Sequence, residues 1–192
     1  IKVKVIGKRY EFGDKEINIV GVLHESSDEE TVEESAIKYY SRSKNYKWLS
    51  NFNIANPFEY EDRMYPTVEH AFQAQKSDSD EYKDALTIGT ESYIGSDAAK
   101  AKSFGTKKNF TKLDLELIED WDDKKLELME QILEAYYSKN EEMKQKLLET
   151  GNSPLLHRGP RIDLFWGINT HGNGENQHGK ILMNLREKYR EE

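Results

Sequence analysis

A carboxylate and an amine held a short distance apart can exchange protons with the two ends of one small ligand. Glu69 and Lys76 are such a pair, in the segment YPTVEHAFQAQK that spans 65–76. At 100° per residue, Val68, Phe72 and Gln75 share one side of a helix, with Ala71 nearby. Both ionisable groups fall at one edge of that side. Seven residues separate their backbones by ~10 Å along the axis, beyond the reach of an i+3 or i+4 ion pair. A lysine drawn partly out of water has a lowered pKa and becomes a nucleophile. The same spacing also suits two side chains that bury their stems at a core boundary and keep their heads in water. Spacing alone leaves both readings open.

A second stretch carries different chemistry. LETGNSPLLHRGPRIDLFWGINTHGNGENQHGK holds Asp163, Trp166, Gly167, Asn169, Asn173, Asn176 and six glycines, the last of them Gly179. A Gly- and Asn-rich loop with an acid and an aromatic is the kind of segment on which sites are built. Free backbone N–H groups where it meets the last helix, near 176–179, suit an anion. The glycine spacing is not that of a dinucleotide fingerprint, and no strand precedes it. Phe52, Trp121 and Trp166 are candidates to stack on a base, although such aromatics also build cores. Histidines at 24, 70, 157, 171 and 178 show no helical metal-ligand spacing. There is no nucleophile elbow. Neither a metal nor a cofactor is expected.

Charge narrows the ligand. The 192-residue chain has a net charge of −8, unevenly spread. Residues 25–35 hold six acids and no base, and 112–149 hold twelve acids and six lysines. Two islands run the other way: Lys38, Arg42, Lys44 and Lys47 within 36–58, and Lys100, Lys102, Lys107, Lys108 and Lys112 within 98–112, both without an acid. Islands of this size suit a phosphate rather than a broad nucleic-acid surface; read otherwise, they are solvated faces.

The elements that must position these residues follow from periodicity. The length fits one domain with an appendage, and the 36% hydrophobic, 33% charged composition is that of a globular chain. Alternating IKVKVIGKRYEF and EINIVGVL predict a β-hairpin over 2–23. A polar linker or loop, HESSDEETVEES, follows. Residues 37–65 read as ordered loop with short strands. Helices are expected over 67–76, 80–88, 92–103, 122–138, 141–149 and 176–190. Leu126, Met129, Ile132, Leu133 and Tyr136 form the core stripe of the longest, and Ile181, Leu182, Leu185 and Tyr189 that of the last. The fold class is mainly α (α+β). No segment has the ~20 apolar residues of a membrane span, and the start of the chain has no signal-peptide pattern. The absence of Met at position 1 leaves the natural start open. With no cysteine, disulfides and thiolate chemistry are excluded, which agrees with an expected cytoplasmic location.

In order, WLSNF, NPF, YPTVEHAFQAQK, AKSFG, EDWDDKKLELMEQIL, LLETG and DLFWGINTHGNGENQHGKILMNLRE resemble the motifs of the NADAR (YbiA-like) family. The resemblance covers about 40–189. It implies a YbiA-like helical domain over 36–192, with residues 1–35 an appendage dispensable for catalysis. It implies an N-glycosidase that frees ribose from an exocyclic amine, on ribosylaminopyrimidine intermediates of riboflavin synthesis or ADP-ribose carried by guanine. The partner expected is therefore a phosphorylated nucleotide-like small molecule or an ADP-ribosylated nucleic acid base. The alternative is a catalytically silent ADP-ribose or nucleotide sensor. Carried over by position, Lys76 and Glu69 are catalytic, with Asp163 a second acid. Tyr40, Arg42, Asn51, Phe52, Trp121, Trp166, Gly167, Asn176 and Gly179 are substrate-binding. The chain departs from the family at His157-Arg158, where an acid and Ser-Pro are common, and at Tyr136-Tyr137, where Lys-Phe is expected. These changes bear on the substrate, and Arg158 would suit an extra phosphate. Two mechanisms stay open: a Schiff base on Lys76, or attack by carboxylate-activated water on an oxocarbenium-like centre with Lys76 only stabilising charge.

Overall fold

The computed structural model describes residues 3–9, 18–23, 36–54, 56–159 and 162–192. Contacts divide the chain into two units, 1–35 and 36–192. In the first, β1 (Val3–Arg9) pairs antiparallel with β2 (Asn18–Leu23), from Val3 opposite Leu23 to Arg9 opposite Asn18. The register shifts between Val5 and Gly7, so one extra residue bulges the first strand. The hairpin expected over 2–23 is thus present in its described strands. The linker at 24–35 lies outside the described residues.

The second unit opens with β3 (Ile37–Tyr39), which pairs in parallel with β6 (Leu155–His157) and sets Tyr39 beside His157. A 3-10 turn, Lys47–Leu49, follows. Strands β4 (Phe58–Tyr60) and β5 (Arg63–Tyr65) form a tight hairpin, with Glu61 and Asp62 at its turn in the left-handed region. Arg63 then bridges to Asp80 and Asp84 and ties the hairpin to the helix that holds both.

The remaining elements are α1 (Val68–Ala74), α2 (Asp80–Leu86), α3 (Ala98–Phe104), α4 (Lys107–Leu113), α5 (Trp121–Ser138), α6 (Glu141–Glu149) and α7 (Gln177–Glu191). The core collects Met129, Ile132, Leu133 and Tyr136 from α5, Met143 and Leu147 from α6, and Ile181, Leu182, Leu185 and Tyr189 from α7. Among the described residues, no helix is long and apolar enough to cross a membrane.

Helix α1 differs most from its expected character. It is not amphipathic: every residue from Val68 to Gln75 is buried. It packs against α2, α3 and α5, so no face is left to solvent. Its first turn is satisfied locally. Thr67 caps it by accepting from the His70 amide, and the His70 ring bonds Thr67 Oγ1 and the Gly95 carbonyl.

Three boundaries also differ. The helix expected from residue 92 starts at Ala98, because Gly95 takes φ +93° and Asp97 caps the Ala99 amide. Helix α4, read from sequence only as a basic island, forms behind Thr106 and ends at left-handed Asp114. Residues 155–157, read as loop, are β6.

Candidate active site

Beside α1 lies a cavity of about 930 Å³, a size that suits a nucleotide-like ligand. Its walls come from the loop after β3, from α1, from the C-terminal end of α3, from the start of α5 and from the loop after β6. Tyr40, Arg42, Asn51, Phe52, Glu69, Lys76, Trp121, Asp163 and Trp166 all line it.

Glu69 is buried at 6% exposure on the first turn of α1, and its Oε1 accepts from Gln73 Nε2 at 2.8 Å. Burial raises its pKa, against the lowering effects of the Gln73 bond and of Lys102 and Lys76. Lys76 stands just past α1, where the chain leaves the helix after Gln75. Its Nζ donates to the Gly105 carbonyl at 2.9 Å and lies 5.5 Å from the Trp121 ring centroid. Burial lowers its pKa; Glu69 opposes this and Lys102 adds to it. An isolated ion pair would move both groups the other way, Glu down and Lys up. Here desolvation outweighs mutual attraction at each, so both are drawn toward their neutral forms.

Aromatic walls flank the pair. The Phe72 ring lies 5.1 Å from Trp121 and meets Trp166 edge-on at 5.5 Å. Phe52 lies under the Lys102 ammonium at 5.9 Å. Asp163 is exposed, and its carboxylate accepts from the Phe165 amide at 2.9 Å, so it stabilises its own loop at the cavity edge.

Asn51 is held from behind. Its Oδ1 is 2.5 Å from His178 Nε2, and His178 Nδ1 is 2.6 Å from the Tyr39 hydroxyl. Tyr39 is buried and its pKa is raised well above the ordinary value by burial, so its hydroxyl is protonated. The network assigns Tyr39 as donor to Nδ1 and Nε2–H as donor to Asn51. Burial pushes His178 well below the usual range and His157 down to about 4, so both rings are neutral. His157 stacks on Tyr39 at 5.2 Å and also lines the cavity.

Gly167, Asn176 and Gly179 do not line the cavity; they shape the backbone behind it. Asn176 sits in the left-handed region (φ 55°) before α7. Its Oδ1 accepts from the His157 amide and its Nδ2 donates to the Leu155 carbonyl, both at 2.9 Å, pinning β6 to α7. A Cβ on Gly179 would overlap the Leu155 carbonyl, and one on Gly167 would overlap the His157 carbonyl. Lys44 is exposed and also absent from the lining. Arg158 donates to the Thr170 carbonyl rather than facing the cavity.

Sequence reasoning did not single out Gln73, Lys102, Lys125 and His178, which also line the cavity. His178 was detectable: it stands three and four residues before Ile181 and Leu182, a polar group on a core stripe. Lys102 lay unresolved within its basic island. Among the described residues, no three His, Asp or Glu side chains gather as a metal-holding group.

Residues 38–190 match the NADAR domain. The chain belongs to the NADAR family. It is 29% identical over 157 residues to the N-glycosidase YbiA of Escherichia coli K12, covering 82% of this chain and 90% of that one. An N-glycosidase of Nostoc punctiforme is 30% identical over 80% of this chain and 92% of its own length. The chloroplastic riboflavin biosynthesis protein PYRR of Zea mays is 31% identical over 80% of this chain, though only 25% of that longer protein is matched. The solution NMR structure of E. coli YbiA superposes with a TM-score of 0.67 at 29% identity, over 81% of this chain and 84% of that one. The NADAR match begins after the hairpin unit, and the α+β architecture of 36–192 is YbiA-like.

Proposed function

We propose that this chain is an N-glycosidase that hydrolyses the bond between ribose, or ADP-ribose, and an exocyclic base amine. One observation carries the reading: at one wall of an aromatic-lined cavity, a buried carboxylate and a partly buried amine are both drawn toward neutrality. The names of its relatives, N-glycosidases and riboflavin biosynthesis proteins, support it.

The chemistry runs as follows. The sugar on an exocyclic amine opens to an imine at C1′. Neutral Lys76 adds through Nζ to C1′. Glu69 in its acid form donates a proton to the base nitrogen, and the C1′–N bond to the base breaks. The sugar stays on Lys76 as an imine. Water, losing a proton to the Glu69 carboxylate, adds to C1′ and expels the lysine amine. The balance is N-glycoside plus water to free amine plus sugar. Glu69 suits the proton transfers better than Asp163, because it is buried on the cavity wall and burial raises its pKa, while Asp163 is exposed and its carboxylate is taken by the Phe165 amide. The reactive form of the pair carries one proton. The expected pH profile is a bell, its acid limb above the ordinary carboxylate range and its basic limb below that of a free lysine. Turnover measured across pH checks this; a plateau at high pH with no basic limb would remove the proton required on Glu69, and activity that persists at low pH with no acid limb would remove the neutral-lysine step.

Candidate substrates are ADP-ribosylated guanine and a ribosylaminopyrimidine, each offered to purified protein with released sugar as the readout. Tight binding without release would favour the sensor reading. Phosphate contact is assigned to Arg42, the member of the first basic island that lines the cavity. Arg42→Ala is expected to reduce kcat/KM roughly tenfold for a phosphorylated substrate and little for its dephosphorylated form. Lys44→Ala should change neither. Equal losses on both substrates would return Arg42 to the solvated face. Residues 1–35 are proposed to be dispensable for this chemistry.

A further inference from the structure

Three features meet at one point that the mechanism above does not use. Gln73 stands one turn after Glu69 on α1, 4% exposed, and its Nε2 donates to Glu69 Oε1 at 2.8 Å. Its Oε1 is buried with no hydrogen-bond partner. Its side chain also fills the space where a Cβ on Gly105 would lie. Gly105 has φ −83°, an ordinary value open to any residue, so its backbone does not require glycine. The space does. The same Gly105 offers its carbonyl to Lys76 Nζ at 2.9 Å. From α2, the Tyr82 hydroxyl donates to the Gln73 carbonyl at 3.1 Å and fixes this part of α1.

A buried amide that leaves its carbonyl unpartnered has been oriented by its other end. With Glu69 as carboxylate, only the N–H end of Gln73 can bond to it, because a carboxylate accepts and does not donate. The unpartnered oxygen is the consequence.

We propose that Gln73 is a positioning residue for the reaction, its amide N–H holding Glu69 as the carboxylate that receives protons, and that Gly105 is glycine so that this amide and the carbonyl gripping Lys76 can share one space. The inference rests on the glycosidase reading for its catalytic meaning. The groups acting on Glu69 are Gln73 on its own helix, Lys102 of α3 and Lys76 just past α1; Glu69 in turn raises the Tyr82 hydroxyl of α2, while Asp122 and Lys125 of α5 line the same cavity. Among these, the Gln73 bond has the largest lowering effect on the Glu69 carboxyl.

The test is Gln73→Met, which keeps length and volume and removes the donor. The Glu69 carboxyl is followed by NMR in protein carrying 13C at glutamate Cδ, with Glu69→Gln to assign its signal. The Glu69 midpoint is expected to rise, because the group that stabilises its ionised form is gone. The acid limb of kcat/KM should rise with it, and turnover near neutral pH should fall roughly tenfold. Gly105→Ala, which displaces the same amide, should move the midpoint in the same direction. An unchanged midpoint in both variants overturns the proposal, as does a loss of activity equal at every pH. If Gln73→Met does not fold, Gly105→Ala alone decides by the same measure. A midpoint shifted in the variants, with a wild-type chain that releases no sugar, would keep the positioning role and remove the glycosidase reading.

Discussion

Lys76→Ala is expected to abolish turnover, with a loss on the order of 10³-fold or more in kcat, while the protein stays folded. The chemistry requires an amine that adds to C1′, and no neighbour supplies one. Lys102 and Lys125 also line the cavity, but Lys125 is ion-paired to Asp122 at 2.6 Å and lies over the Phe165 ring, and Lys102 lies over the Phe52 ring, while Lys76 is held at the Gly105 carbonyl. The structural cost is small by comparison. Lys76 contributes one hydrogen bond to Gly105 and a cation–π contact to Trp121, together about 1–2 kcal/mol. The Lys76 side chain itself lines the cavity, so water can enter the space that it vacates and take its place at the Gly105 carbonyl. Kinetics with a melting curve on the same preparation separate the two effects. Borohydride added during turnover should fix the sugar to Lys76 as a secondary amine, visible as added mass on the peptide that contains residue 76. Activity lost in Lys76→Ala with no adduct in the wild type would leave the lysine an electrostatic role and favour carboxylate-activated water. Full activity in a folded Lys76→Ala protein would end the lysine mechanism.

Some of this site could be read before the fold was known, and the reason differs by residue. The stripes of α5 and α7 were legible because each helix presents one face to the core, so Met129, Ile132, Leu133 and Tyr136, or Ile181, Leu182 and Leu185, recur at the helical period. Helix α1 defeated the same method. Periodicity assumes a wet face, and α1 has none, so spacing sets Glu69 with Lys76 at the edge of a buried side and leaves its buried bond to Gln73 unread. The cavity positions of Asn51, Trp121 and Trp166 followed from the resemblance rather than from spacing. Gly105 was legible as the stop of its helix, which it caps, but not as a packing residue, since what occupies its Cβ space comes from 32 residues earlier in the chain. Motif matching also misdirected. It places a residue near a site without saying which way its side chain faces, and Asn176 and Gly179 face the backbone of β6.

That distinction yields the second large effect, for Gly179→Ala. In an exposed helix, replacing glycine by alanine stabilises by up to about 1 kcal/mol through backbone entropy. Here the added methyl would overlap the Leu155 carbonyl and press on the Asn176 side chain, with Nδ2 at 2.5 Å and Oδ1 at 2.7 Å. Neither neighbour is a flexible tip. Leu155 lies in β6, and Asn176 is held by two bonds to that strand. Relief would have to move β6 away from α7, and with it the β3–β6 pairing that sets Tyr39 beside His157. Overpacking of this kind costs about 2–4 kcal/mol net, so the clash outweighs the entropy gain. For a domain of this size the melting temperature should fall on the order of 10 °C. The disturbance would reach the cavity through His178, which directly precedes Gly179 and carries the bond to Asn51, so kcat should fall as well. The alternative, implied by the family motif, is that Gly179 lets substrate approach the start of α7. It makes the opposite forecast: an unchanged or higher melting temperature, a raised KM and a preserved kcat. Thermal melts and steady-state kinetics on Gly179→Ala, with Gly89→Ala as a variant at a positive-φ glycine whose Cβ would meet nothing, distinguish a methyl that strikes the backbone from one that blocks a ligand.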